Sequence, residues 1–243
     1  MNNILYITLM GFAVGVIGTG IGGLFTLGLG KPGNRCLSFI LGFSAGIMLA
    51  IVCFDLLPEA FEKANFLVVL IGIIMGVLMI MLIDEGLHSH ISNSFSNNKN
   101  FVKMGTLIGL GLALHNFPEG LAIGSGFMAT KDLGIGISIV IALHNIPEGI
   151  SMAAPMRVGG ISKLKVVLYT FLVGLPMGVG ALAGAFLGEI SEKFIAFCLA
   201  FAGGTMLYIT CGELIPNSSK LHIGRASSIG LMVGFMVGLI ITK

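Results

Sequence analysis

The sequence predicts an all-α integral membrane protein with eight transmembrane helices in a 3+2+3 arrangement with inverted repeats. Only 10% of the 243 residues are charged and the mean hydropathy is +1.03, whereas about a quarter of the residues in a soluble domain are charged. The apolar runs have the length of about 20 residues that a helix needs to cross a bilayer. We therefore expect a single transmembrane domain over 1–243, surrounded by lipid.

Eight apolar runs account for almost the whole chain. The predicted spans are 4–30, 36–59, 66–83, 104–128, 133–156, 166–187, 194–215 and 226–242. The longest connection is the polar stretch from about 84 to 103, so no soluble domain is expected.

The basic residues predict the orientation. With eight spans, nine of the thirteen Lys and Arg fall in loops on one side: Lys31, Arg35, Lys99, Lys103, Arg157, Lys163, Lys165, Lys220 and Arg225. Because basic loops stay in the cytoplasm, we expect a multi-pass protein of the cell membrane with both termini outside the cytoplasm.

One eight-residue stretch occurs twice, in spans four and five. Residues 113–120 read Ala-Leu-His-Asn-Phe-Pro-Glu-Gly and residues 142–149 read Ala-Leu-His-Asn-Ile-Pro-Glu-Gly. A charged side chain in the middle of a membrane helix costs about 3 kcal/mol, so these acids and imidazoles need partners. The natural partner is a cation.

The spacing within each copy favours a metal site. His115 and Glu119 lie on one helix face, as do His144 and Glu148, because residues four apart share a face. Asn116 and Asn145 add side-chain oxygens. Pro118 and Pro147 would free backbone oxygens one turn earlier. Imidazole and carboxylate ligands suit zinc, iron or manganese.

A second repeat relates spans two and seven. Residues 46–58 align without gaps to 204–216, with seven identities in thirteen and Asp55 opposite Glu213. The two spans run in opposite directions, so we expect spans one to three and six to eight to form inverted repeats around spans four and five. This architecture is typical of secondary transporters, whose substrate site lies at the bilayer midplane.

The remaining acids can be ordered along the predicted path. Asp55 and Glu59 lie near the outer end of span two, as an entrance would. Asp84, His88 and Glu213 lie near the inner ends of their spans and indicate a release site. The alternative interpretation of Asp55 and Glu213 is that they are interfacial acids near the helix ends with no metal role.

Two other functions use the same central residues. An intramembrane metalloenzyme would activate water on the metal. However, zinc proteases carry His-Glu-x-x-His, and the position after each histidine is here Asn116 or Asn145, which cannot act as a base. A metal-selective channel would differ from a carrier in turnover and saturation rather than in its residues.

The eight spans and the two copies of His-Asn-x-Pro-Glu-Gly resemble the ZIP family of divalent-metal transporters. Within that family, the chain is similar to the bacterial GufA-like and ZupT-like branch. The resemblance covers essentially the whole chain. It implies uptake of zinc, and of related metals such as iron, manganese or cadmium, with no enzymatic activity. It also implies central ligands His115, Asn116, Glu119, His144, Asn145 and Glu148, and an exit lined by Asp84, His88 and Glu213.

The chain departs from the family pattern at two places. Many members carry a Glu in span six, where this chain has Met177, so a second metal beside the first is in doubt. Many have His-Glu in span seven, where this chain has Gly212 and Glu213. We expect no resident cofactor and no nucleic-acid partner. The Gly-rich first span suits packing within one protomer or in a homodimer.

Overall fold

The chain folds into a bundle of long helices. The computed structural model describes residues 2–30, 32–91, 97–186 and 192–242, with the side chains of all but 2, 3, 29, 87–91, 97 and 98. Over these residues it has eight helices and no strand: α1 (Asn2–Leu29), α2 (Asn34–Lys63), α3 (Phe66–Ile91), α4 (Asn97–Ala129), α5 (Lys131–Val158), α6 (Lys163–Phe186), α7 (Glu192–Leu221) and α8 (Ala226–Ile241). Each helix contains nearly all of one predicted span, so the all-α membrane fold is confirmed.

The helices differ in how apolar they are. In the described ranges, six are long and apolar enough to cross a membrane, and α8 is a shorter apolar helix. The remaining helix, α4, has 33 residues and carries the first His-Asn-Phe-Pro-Glu motif. A multi-pass helical membrane protein follows from these lengths and compositions.

The polar connection expected over about 84–103 is largely helical in the residues that the structure describes. The described residues at both of its ends are helical, because α3 continues to Ile91 and α4 begins at Asn97. Backbone hydrogen bonds inside a helix need no apolar surroundings, so α3 and α4 continue beyond their apolar runs. The apolar runs are therefore shorter than the two helices that contain them.

Both helices of the second repeat contain a wider turn at equivalent positions. A π-helical segment interrupts α2 at Val52–Leu56 and α7 at Ile209–Leu214. In each helix a proline, Pro58 or Pro216, follows the segment and opens the next α-helical stretch. Such π turns are rare and occur mostly at functional sites.

The helices pack in matching pairs. The most extensive contacts join α1 to α6, α2 to α8, α4 to α6, α2 to α7, α1 to α5, α3 to α7 and α4 to α5. Exchanging helices one to three with six to eight, and α4 with α5, turns this set of pairs into itself. The inverted repeat stays a prediction, and the contact pattern supports it.

The two helices with the repeated motif form a tight hairpin. Only Thr130 separates α4 from α5, and its side chain caps α5 by accepting a hydrogen bond from the Leu133 amide at 3.1 Å. On the other side of the motifs, α1 and α6 approach closely at Gly15 and Gly174. A Cβ atom added to either glycine would lie 2.3 Å from the carbonyl oxygen of the other.

Candidate metal centre

The two repeated motifs meet at the centre of the bundle. His115, Glu119, His144 and Glu148 are each at most 2% exposed. His144 Nε2 lies 2.9 Å from Glu119 Oε1, and His115 Nε2 lies 3.2 Å from Glu148 Oε2. Glu119 Oε1 is also 4.0 Å from His115 Nε2. Two imidazoles and two carboxylates from α4 and α5 thus form one buried cluster.

Each histidine pairs with the glutamate of the other helix. The spacing of four residues placed His115 and Glu119 on one helix face, and their 4.0 Å separation agrees with that. The hydrogen bonds, however, run between α4 and α5. Because neither helix can complete the cluster alone, its geometry depends on how the two helices pack.

The two asparagines turn their amide groups toward α6. Asn116 Nδ2 donates to the carbonyl oxygen of Val173 at 2.8 Å. Asn145 Nδ2 lies 3.9 Å from the sulfur of Met177, a side chain with no exposed surface. Both amides are therefore anchored, which leaves their Oδ1 atoms as the groups available to a ligand.

Several polar atoms of the cluster are buried without a hydrogen bond. In the described part of the chain, five such atoms belong to the two motifs: Asn116 Oδ1, Glu119 Oε2, His144 Nδ1, Asn145 Oδ1 and Glu148 Oε1. Buried polar atoms are nearly always satisfied, and exceptions often mark a functional site or an absent ion. Four of the five are oxygens, which can accept but not donate in an amide or an ionised carboxylate.

A small cavity reaches this cluster from one end of the bundle. It has a volume of about 140 Å³ and is lined by Asp55 and Glu59 of α2 together with Glu119 and His144. Its other walls are mainly apolar. The structure therefore brings the predicted entrance acid Asp55 to the same space as two central residues, and we name this space the Asp55 cavity.

The predicted release residues lie elsewhere and have protein partners. Asp84 Oδ1 lies 2.7 Å from Lys103 Nζ, and Asp84 Oδ2 accepts a hydrogen bond from Tyr208 at 3.1 Å. Glu213 Oε2 accepts from Asn217 at 2.9 Å. The side chain of His88 lies outside the described residues.

Three contacts were not anticipated from the sequence. Lys103 and Tyr208 engage Asp84, and Ser44 donates to the carbonyl oxygen of Pro147 at 3.1 Å. Tyr208 carried a signal, because the second repeat has Ala50 at the equivalent position. At this position a large side chain with a hydroxyl group replaces a small apolar one.

The cluster is not a finished coordination cage. Within the described ranges, no three His, Cys, Asp or Glu side chains are arranged to hold a metal ion as they stand. Instead, each imidazole pairs with a carboxylate of the other helix. Nevertheless, nitrogen and oxygen donors buried in a helical membrane bundle define a class of protein: one that handles cations inside the bilayer.

Comparison with known proteins gives the family. A model of the family described as ZIP zinc transporter matches residues 96–242. Zinc transporter ZupT of Escherichia coli is 35% identical over 243 aligned positions, which cover 96% of this chain and 93% of that protein. ZupT of Corynebacterium glutamicum is 32% identical over 91% of this chain and 92% of its own length. The chain belongs to the ZIP zinc transporter family.

A third relative matches over a shorter region. Zinc transporter GufA of Myxococcus xanthus is 41% identical over 133 residues, which are 54% of this chain and 52% of that protein. The chain thus spans about half of GufA and more than nine-tenths of both ZupT proteins. Family membership confirms the resemblance noted in the sequence and places the chain among transporters rather than enzymes.

Proposed function

We propose that this protein is a carrier that moves divalent metal, zinc foremost, across the cell membrane into the cytoplasm. One observation carries the proposal: two imidazoles and two carboxylates are buried together between α4 and α5, with unsatisfied oxygens around them. The names of the relatives support zinc as the substrate. Iron, manganese and cadmium suit the same donor atoms.

In this proposal the metal replaces the hydrogen bonds between α4 and α5. His115 and His144 would bind through the Nε2 atoms that now face carboxylates, and Glu119 and Glu148 would bind through the same oxygens that now face imidazoles. This set gives the four nitrogen and oxygen ligands that zinc favours. Binding requires unprotonated imidazoles, so loading the metal releases any protons that they hold.

Other predicted residues take positions along the path. Asp55 attracts the cation into the cavity that reaches Glu119 and His144. Asn116 and Asn145 add oxygens whose orientation α6 fixes. On the other side, Asp84 and Glu213 receive the leaving metal, with His88 beyond them.

The whole chain acts as one transporter domain in this proposal. Both termini lie outside the cytoplasm, as the distribution of basic residues indicates. Matching helix pairs support inverted repeats formed by α1–α3 and α6–α8 around α4 and α5. Alternating access then comes from movement of one repeat unit against the other.

Uptake of radioactive zinc into proteoliposomes tests the proposal. We expect saturable uptake by the wild type and uptake near background for Glu119→Gln, which keeps the size of the side chain but removes its charge. Glu192→Gln is the matched control, because Glu192 is exposed at the start of α7. Equal uptake by Glu119→Gln and wild type would overturn the central site, and uptake that never saturates would indicate a channel.

A further inference from the structure

An ion pair engages Asp84, one of the predicted release residues. Lys103 Nζ of α4 lies 2.7 Å from Asp84 Oδ1 of α3, and the Tyr208 hydroxyl of α7 donates to Asp84 Oδ2 at 3.1 Å. The two charged side chains are 13% and 16% exposed. Both carboxylate oxygens of Asp84 thus have partners from two other helices.

Residues of α4 on either side of Lys103 line a polar vestibule. The vestibule has a volume of about 430 Å³, and its walls include Asn100 and Met104 of α4 together with Asn217 and Lys220 of α7. Lys103 lies between Asn100 and Met104 in the sequence and twelve residues before His115. At 1.5 Å per residue, that places it about 18 Å along α4 from the centre.

The two cavities differ in what they reach. The Asp55 cavity is lined by Glu119 and His144, whereas the residues that line the vestibule include none of the four central side chains. In the described part of the chain, neither Asp84 nor Lys103 lines either cavity, and the pair lies about 18 Å along α4 from the central residues. A metal leaving on this side meets a carboxylate that already holds a cation.

We propose that Lys103 is a tethered cation that competes with the departing metal for the Asp84 carboxylate. This inference rests on the proposed transport of divalent metal. The lysine ammonium and a metal dication need the same oxygens and repel each other, so only one can occupy them at a time. Lys103 therefore weakens metal binding at the exit and keeps the release site from retaining its cargo.

The choice of lysine fits this role. A lysine ammonium is a compact point charge on a flexible stem, so it can leave and return to the carboxylate. An arginine would hold the carboxylate through two parallel hydrogen bonds, which are stronger and more directional. Tyr208 keeps the carboxylate in place when Lys103 leaves, because it holds the other oxygen.

A structural ion pair would have different consequences from a competing one. Removing a structural pair lowers stability and total uptake. Removing a competitor raises the affinity of the exit for metal, so metal on the release side inhibits transport at a lower concentration. The diagnostic quantity is therefore the concentration of zinc on the release side that halves the initial rate of uptake.

The test uses the full chain in oriented proteoliposomes, with zinc as the probe. For Lys103→Met we expect this half-inhibiting concentration to fall about tenfold, the size of effect typical of residues that tune metal ligands. Lys103→Arg keeps the positive charge and should stay at or above the wild-type value. Lys99→Met is the matched control, because Lys99 is exposed one turn earlier on the same helix, and its value should not change.

A double variant identifies the carboxylate involved. Lys103→Met combined with Asp84→Asn should return to the wild-type value, because the exit then lacks the ligand for which Lys103 competed. Equal half-inhibiting concentrations for Lys103→Met and Lys99→Met would overturn the inference while leaving transport intact. A wild type that carries no zinc would instead overturn the proposed function itself. If Lys103→Met and Lys103→Gln both fail to fold, the pair is structural and the inference is wrong.

Discussion

His144 Nε2 lies 2.9 Å from Glu119 Oε1, and this contact joins the second copy of the repeated motif to the first. The mirror contact joins His115 to Glu148 at 3.2 Å. Each carboxylate thus has an imidazole partner across the hairpin. In the proposed site, metal binding and the packing of α4 against α5 use the same atoms. Zinc binding should therefore change the stability of the protein.

We expect zinc to stabilise the wild type and not the variant Glu119→Gln/Glu148→Gln. A ligand that binds only the folded protein contributes about 2.7 kcal/mol at a concentration of a hundred times its dissociation constant. Thermal unfolding of the detergent-solubilised protein, with and without zinc, measures this difference. Glu62→Gln is exposed on α2 and should respond as the wild type does. Equal stabilisation of the double variant would place the zinc elsewhere.

Asp55→Asn should raise the KM for zinc and leave kcat nearly unchanged. Asp55 lines the cavity that leads to Glu119 and His144, so its charge raises the local concentration of cations before they reach the centre. Loss of such focusing lowers capture by up to about tenfold. Initial rates of uptake over a range of zinc concentrations measure both constants.

The neighbouring acid provides a graded comparison for Asp55. Glu59 lies 3.6 Å from Lys63 on the same helix, so part of its field is already neutralised. Glu59→Gln should therefore raise KM less than Asp55→Asn does. A fall in kcat without a change in KM for Asp55→Asn would show that Asp55 acts in translocation rather than in capture.

Met177→Glu should increase the number of metal ions bound at the centre from one to two per chain. Met177 is fully buried, and its sulfur lies 3.9 Å from Asn145 Nδ2, so a carboxylate there would face the cluster. Titration of the purified protein with zinc, followed by metal analysis, measures the stoichiometry. Met177→Leu conserves volume at a cost below about 1.5 kcal/mol and should keep one metal. Two metals in the wild type would contradict this expectation.

Gly174→Ala should destabilise the protein, whereas Gly136→Ala should not. The added Cβ at Gly174 would lie 2.3 Å from the backbone oxygen of Gly15, which cannot move without separating α1 from α6. Overpacking of this kind costs about 1–3 kcal/mol. At Gly136 a Cβ meets nothing within 4 Å, and alanine favours a helix by up to about 1 kcal/mol. Shifts of the unfolding midpoint in the same direction would contradict the packing described here.

The sequence predicted the helices because each span is a long apolar run. It indicated the central residues because the same eight-residue motif occurs in two neighbouring spans. It could not predict the hydrogen bonds between them. Spacing along one helix defines a face, but the partner on another helix depends on rotation and distance between the helices. His115 therefore had two candidate partners in sequence terms, Glu119 and Glu148, and only the packing of α4 against α5 selects Glu148.

The apolar pattern also did not predict the contact of Lys103 with Asp84 or the two π segments. Lys103 was assigned to a cytoplasmic loop because it follows a polar stretch, yet it lies on α4 and reaches Asp84. A π turn changes the hydrogen-bond partner of a few residues without changing their hydrophobicity, so the apolar pattern did not indicate Val52–Leu56 or Ile209–Leu214. The Lys103–Asp84 contact depends on how α3 packs against α4.

The single-residue link at Thr130 has a consequence for how the protein enters the membrane. In the described ranges, α4 is not among the six helices that are long and apolar enough to cross a bilayer, and its His115 and Glu119 find their partners on α5. A nascent chain that ends after α4 would leave both polar groups facing lipid. The two helices should therefore leave the insertion machinery together as a hairpin, so that the buried His/Glu cluster and the membrane topology are established in one step.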